Sequence, residues 1–213
     1  MMKSLLTVGF ILFAFTFCGL QDKLKSLSGG SNANTSGSNS SSSSANASAP
    51  AADKAKPTSE QQSIIDSGTE TKWDDQGLSW KLPSGWKKMD TSKTTFNYQS
   101  SDNAFLLVNI SQLGDNFPMD ISLKAYYDQA MQQLKNGAYE SVKMVEIDGL
   151  PGVEFIEAMP ADKSGPRRHQ WIAYRRYLGQ VQQLNVMTST KGSNFDKHTD
   201  DFTAILYSLK AVK

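Results

Sequence analysis

The sequence predicts an α+β domain in which helices pack on a mainly antiparallel sheet of six or seven strands. Three observations carry this expectation. From Trp73 onward, aromatic and β-branched residues recur in short runs of period two, bounded by Pro, Gly, Asn and Asp. Two segments, around Leu123 to Leu134 and Phe195 to Leu209, carry apolar residues at helical spacing. Every link between strands except the one through the first helix is short enough to join antiparallel neighbours.

The first third of the chain is compositionally different. It opens with MMKSLLTVGFILFAFTFCGL, in which Lys3 precedes an uncharged apolar run from Leu5 to Phe17. This is the layout of a signal peptide over residues 1–18. A run of about 13 residues makes a helix of roughly 20 Å, short of the ~30 Å hydrocarbon layer, so export with cleavage fits better than a permanent span. The sole cysteine, Cys18, closes the run directly before Gly19, and the arrangement resembles the bacterial lipobox, whose cysteine takes a diacylglyceryl group. Phe17 stands where lipoboxes carry Gly, Ala or Ser. Lipidation of Cys18 is therefore the reading, with a retained signal anchor and simple secretion as its alternatives.

Residues 19–71 are dominated by Ser, Asn, Ala and Gly and contain no aromatic residue beyond Phe17 and before Trp73. Such a tract cannot bury enough apolar surface to offset its conformational entropy, so a disordered stalk is expected. About 50 flexible residues reach roughly 40 Å on average, which makes the stalk a tether for a domain over residues 72–213.

Within that domain, Leu78, Trp80 and Leu82 alternate as a first strand that ends at Pro83-Ser84-Gly85. Thr94 to Gln99 and Ala104 to Ser111 follow as strands, the second apolar on both faces and expected to be covered on both. Ser122 caps a helix with Leu123, Tyr126, Tyr127, Ala130, Met131 and Leu134 on one face, ended by Asn136-Gly137. Leu123, Met131 and Leu134 are the expected buried positions. Strands over Tyr139 to Ile147 and Val153 to Ala158 flank the turn at Asp148-Gly149. Arg167 to Thr188 reads as a hairpin turning at Leu178-Gly179, and a closing helix spans about Phe195 to Ala211.

The segments GLSWKLPSGW, AFLLVNIS with SLKAYYDQAMQQL, IDGLPGVEF and WIAYRRYLGQVQQLNVM, with the final helix, together resemble the PsbP-like superfamily. That superfamily includes the extrinsic photosystem protein, a nuclear-import factor that binds a small GTPase, and bacterial lipoproteins. The resemblance implies an α/β/α sandwich used for protein binding, without enzymatic activity.

Charge and motifs narrow the chemistry. Lys and Arg number 22 against 21 Asp and Glu, a balance that gives no long-range field for nucleic acid. The chain holds no Walker loop, dinucleotide fingerprint, nucleophile elbow or zinc spacing, and neither a metal nor another cofactor is expected. Ser84 sits on a tight turn for conformational reasons rather than as a nucleophile. His169 and His198 read as separate surface or rim histidines, and His198 with Asp200 and Asp201 reads as a solvated helix face.

The cluster Arg167, Arg168, Arg175 and Arg176 is the most suggestive feature. Strand alternation places Arg167, His169, Trp171 and Arg175 on one face, where they are the candidate contacts for a partner or an anion. The competing reading makes them rim arginines whose stems lie on apolar neighbours. These observations point to a monomeric, non-catalytic binding or accessory lipoprotein of the bacterial cell envelope, held at the membrane by its N-terminal lipid, with a protein or small molecule as partner. The alternatives are a small-ligand carrier or an envelope enzyme with a pocket between sheet and helix near Trp171 and Tyr126.

Overall fold

The computed structural model describes residues 49–212, so the expected signal peptide, Cys18 and the expected stalk up to residue 48 lie outside the described residues. The long hairpin predicted around Leu178-Gly179 is the spine of the domain. Strand β9 (Pro166–Tyr177) and strand β10 (Gln180–Lys191) pair antiparallel along their whole length. Leu178 and Gly179 both adopt positive φ, 48° and 81°, the backbone twist that a two-residue hairpin turn requires.

Around this hairpin stand β1 (Asp53–Lys54), β4 (Lys87–Thr91), β5 (Thr95–Gln99), β6 (Phe105–Leu113), β7 (Tyr139–Ile147) and β8 (Leu150–Glu157). They form an eight-stranded sheet in the order β1-β7-β8-β9-β10-β6-β5-β4, antiparallel except where β1 runs parallel to β7. A second sheet of three strands, β2 (Thr69–Trp73), β3 (Leu78–Leu82) and β11 (Lys210–Ala211), lies apart from it in hydrogen bonding, in the order β11-β3-β2. The strand expected first in the single sheet, Leu78 to Leu82, therefore belongs to this smaller one.

Four helices complete the described fold: α1 (Ser59–Ser67), α2 (Met119–Lys135), α3 (Gly192–Phe195) and α4 (Thr199–Tyr207). Helix α2 begins three residues before the expected cap, after Pro118, and Ser122 falls in its first turn with its N–H on the Pro118 carbonyl. Leu123 and Ala130 are buried, whereas Met131 and Leu134 are only half-buried, because α2 rests on the sheet along a narrower stripe than its apolar pattern suggests. The closing helix is broken. A 3₁₀ turn over Asp196–His198 joins α3 to α4, and α4 stops at Tyr207. Ser208 Oγ donates to the Ile205 carbonyl and accepts from the Lys81 N–H, which docks the chain on β3 and turns Lys210–Ala211 into a strand.

The folded part also starts well before residue 72. Thr58 and Gln61 form a reciprocal capping box at the start of α1, and buried Gln61 donates to Asp200 at 2.9 Å. Strand β2 pairs with β3 from Thr69↔Leu82 to Trp73↔Leu78. Residues 53–71 are thus ordered elements rather than stalk. The averaged composition conceals a cap, two isoleucines and a strand whose apolar anchor, Trp73, lies at its very end.

The core lies between one face of the large sheet and the small sheet with α4. It contains Trp73, Trp80, Phe96, Trp171 and Ile205, all at most 2% exposed. Phe96 stacks between Trp73 at 5.6 Å and Trp80 at 4.9 Å. On the opposite face, Leu123 and Ala130 of α2 pack on Val153, Phe155 and Ile172.

Trp171 is fully buried, and its indole N–H donates to the Val145 carbonyl at 3.1 Å. Gly152 makes room for it. A Cβ there would overlap Cε2 and Nε1 of Trp171 and lie 2.7 Å from the Ile172 carbonyl oxygen. Gly152→Ala should cost about 1 to 3 kcal/mol, read from the urea midpoint, because neither an indole nor a strand backbone can yield cheaply. A change inside about 0.5 kcal/mol would contradict that packing. A chain cut to begin at Thr71 loses β1, α1 and half of β2, and it should melt at least roughly 5 °C below one cut to begin at Ala49. Equal melting temperatures would mean that residues 53–71 contribute nothing to the fold.

Candidate functional site

The alternation expected for β9 holds. Arg167, His169, Trp171 and Arg175 share the face that looks toward α4 and the small sheet, while Arg168, Ile172, Tyr174 and Arg176 share the other. The four candidate contacts are nevertheless all buried, at 4% exposure or less, and none presents a surface to a partner from outside. Arg167 and Arg175 stand eight residues apart on one strand, roughly 26 Å, so they do not converge on one anion.

Each has internal partners. Arg167 donates from Nε to the Glu157 carbonyl at 2.8 Å, pairs with Glu140 and Asp196, and lies over the Phe195 ring. Arg175 donates to Gln182 Oε1 at 3.0 Å and to the Gln76 carbonyl at 2.7 Å, with its guanidinium over the Tyr177 ring. Its NH1 has no hydrogen-bond partner among the described residues. Burial pushes the Arg175 pKa down to about 10.

His169 belongs to the most connected ionisable group of the fold. Its Nε2 lies 2.7 Å from Glu154 Oε1, both side chains being at most 2% exposed. The Tyr207 hydroxyl donates to Glu154 Oε2 at 3.0 Å and accepts from Lys143 Nζ at 3.0 Å, and Lys143 Nζ stands 3.4 Å from Glu154 Oε1. The geometry follows from register. Lys143 on β7 sits opposite Glu154 on β8, His169 is the diagonal neighbour on β9, and α4 lowers Tyr207 onto them.

Burial pushes the Glu154 carboxyl up, but the hydrogen bond and charge of His169, the charge of Lys143 and the Tyr207 hydroxyl outweigh it. The group therefore sits below the usual carboxylate range. Sequence reading passed over Glu154 because it looks like one polar residue in a strand. The available signal was a glutamate between Val153 and Phe155, in a strand covered on both sides, which demands cations on its neighbours.

His198 is buried rather than at the surface, because the break before α4 turns it inward onto the β5–β6 turn. Its Nε2 lies 2.9 Å from Asp102 Oδ2, its Nδ1 lies 3.2 Å from Asp201 Oδ2, and its ring stacks on Phe202. Asp102 also accepts from Lys197 and Ser100, and these two bonds, with the charge of His198, hold its carboxyl far below the usual range against the effect of burial. Among the described residues no three His, Cys, Asp or Glu side chains are grouped to hold a metal ion.

A cleft of about 250 Å³ opens on the outer face of the small sheet, lined by Ile65, Glu70, Lys81, Tyr207, Ser208 and Lys210 among others. Trp80 borders it but turns its indole the other way, onto Phe96. The cleft is not where the sequence suggested. Trp171 and Tyr126 lie on opposite faces of the large sheet, each within a packed cluster, and enclose no common pocket.

No protein-family model and no curated protein matches the chain. Solved structures do. The chain is similar to the cyanobacterial PsbP of Synechocystis sp. PCC 6803, with 14% identity over 68% of this chain and 94% of that one and a TM-score of 0.44. It is also similar to LpqN of Mycobacterium tuberculosis, a protein involved in cell envelope biogenesis, with 14% identity over 68% and 86% and a TM-score of 0.49. A third structure, from Bacteroides thetaiotaomicron, is 15% identical over 69% of this chain, with a TM-score of 0.43, and the chain spans about half (49%) of its length. The likeness is one of fold.

The Glu154 group yields a pH signature. A carboxyl whose folded pKa is depressed adds stability that is complete above its ordinary value, near 4.5, and is lost as pH falls through the lower folded value. Glu154→Gln should cost about 3 kcal/mol at neutral pH, because it leaves buried His169, with half-exposed Lys143 beside it, facing a neutral amide. The gap to the parent protein should close as pH falls through that window. A melting-temperature gap that stays constant down to about pH 3 would show that the carboxylate charge contributes nothing.

Proposed function

We propose that this protein is a non-catalytic binding or accessory lipoprotein of the bacterial cell envelope, a monomeric domain held at the exported side of a membrane by lipid on Cys18. The observation that carries the non-catalytic part is how the buried ionisable groups are used. Every buried carboxylate and imidazole among the described residues, Glu154, His169 and His198, is committed to internal partners.

Ser208 is the one hydroxyl lining the cleft that is buried, and its Oγ is already bonded to Lys81 and Ile205. Catalysis needs groups whose lone pairs or protons face a substrate, and this fold spends those groups on holding its own elements together.

The tether is supported by the sequence: a short apolar run, one cysteine at its end, and a polar tract behind it.

Metabolic labelling with a palmitate analogue should mark the protein, and Cys18→Ser should abolish the label. Apparent mass is read alongside, since an unprocessed precursor would still sediment with membranes. Wild-type protein that is unlabelled and keeps residues 1–17 would replace lipidation by a signal anchor. Unlabelled protein that is cut elsewhere and found free would replace it by secretion.

A further inference from the structure

The two faces of the large sheet are covered unequally. Helix α2 makes its contacts with β7, β8 and β9. Beyond it the same face continues over β10, β6 and β5, and register places Gln170, Gln183, Asn185, Met187, Leu107 and Asn109 side by side there. Asn109 is exposed, and the other five are half-buried.

Ionisable side chains are missing from this area. The positions facing this way on β5 (95, 97, 99), β6 (105 to 113, odd) and β10 (181 to 189, odd) are all uncharged. Charges stand only at the rim: Arg168 paired with Glu157, Arg176 pinned to the carbonyls of Gly179 and Asp115, exposed Lys191 at the far end of β10, and Lys87 and Asp90 on the edge strand β4.

The polar groups in between are primary amides. Gln170 Nε2 donates to Asn185 Oδ1 at 3.0 Å, which leaves Asn185 Nδ2 and Gln170 Oε1 uncommitted. Asn97, opposite Leu107, holds a buried Oδ1 that no donor among the described residues reaches. A buried acceptor without a donor is costly unless something supplies one.

We propose that this open half of the sheet binds a neutral glycan chain, an inference that rests on the binding reading above. A primary amide presents a donor and an acceptor at one tip, the pattern that matches adjacent hydroxyls. Leu107 and Met187, with Phe105 at the end of the row, supply apolar area for the C–H faces of sugar rings.

A charged ligand gains nothing from a neutral face, and nucleic acid finds no cations there. The anchors of protein interfaces, Trp, Tyr and Arg, are absent from the three strands' outward positions. Nine residues of β6 span roughly 30 Å, enough for several rings in a row.

Calorimetric titration of the full chain, in a detergent without sugar groups, with cellohexaose, maltohexaose and chitohexaose tests this. At least one should bind, and Asn109→Ala and Asn185→Ala should each weaken it about tenfold, the worth of one hydrogen bond; Asn109→Ala should do so without moving the melting temperature, whereas Asn185→Ala also gives up the Gln170 bond and should lower it slightly. No binding by any of the three at millimolar concentration overturns the proposal and leaves the Cys18 reading untouched. Binding that both variants leave intact overturns the assignment to this face, and self-association that both variants abolish assigns the face to a second copy instead. Shortened sugar products with binding lost in the variants keep the glycan site and overturn the non-catalytic reading.

Discussion

Trp171 over Gly152 is the contact on which the domain is built. A tryptophan in the middle of a central strand needs a neighbour with no side chain beneath it, an acceptor for its N–H, and a lid that excludes water from its other side. Gly152 on β8, the Val145 carbonyl on β7, and the cluster that includes Trp80 and Ile205 supply these in turn. Three strands of the large sheet, the small sheet and α4 are thereby fixed relative to one side chain. The small sheet cannot slide along this face without uncovering the largest apolar surface in the core.

Polar contacts set the ends of the same assembly. Glu154 with His169 and Tyr207 ties α4 to the middle strands, and Arg167 reaches Glu140 and Asp196, joining the start of β7 to the 3₁₀ turn. His198 and Asp102 fasten the β5–β6 turn to the region before α4. Buried pairs of this kind add little net stability relative to a well-packed apolar core, but breaking one leaves a charge with nowhere to go. Their effect is selective. A closing segment shifted by one residue would leave Glu154, Asp102 and Arg167 without their partners at once.

Much of this was legible in the sequence, and the failures have physical causes. The β9–β10 hairpin and β7 were readable because their apolar pattern, their turns and their length all agree. Alternation alone also divided the arginines correctly between the two faces of β9. Depth was not legible, because a period-two pattern says which face a side chain takes but not what lies over it. Arg167, His169 and Arg175 were therefore expected as contacts for a partner when they are interior.

Composition misplaced the start of the fold. Thr58-x-x-Gln61 stabilises α1 through two hydrogen bonds that an average over fifty residues does not register. The closing segment kept helical periodicity through a break, because the 3₁₀ turn at Asp196–His198 shifts the phase only slightly while Leu209 still points into the core.

The half-open sheet follows from the inventory of helices. Eight strands at about 4.8 Å spacing make a sheet roughly 34 Å wide, and one helix about 10 Å across covers two or three strands of it. On the core side the small sheet and α4 share the covering, with α1 packed on α4 and β3, whereas on the other side α2 stands alone. An uncovered sheet face with the usual apolar content would associate with copies of itself. The sequence prevents this on β5, β6 and β10 with Thr, Asn, Ser and Gln rather than with Lys and Glu, the residues that most often serve. Solubility alone does not call for that choice, since charges achieve it more effectively. Amides keep the face wettable while leaving it free of any field, and that combination suits a surface on which an uncharged, hydroxyl-rich chain is to lie.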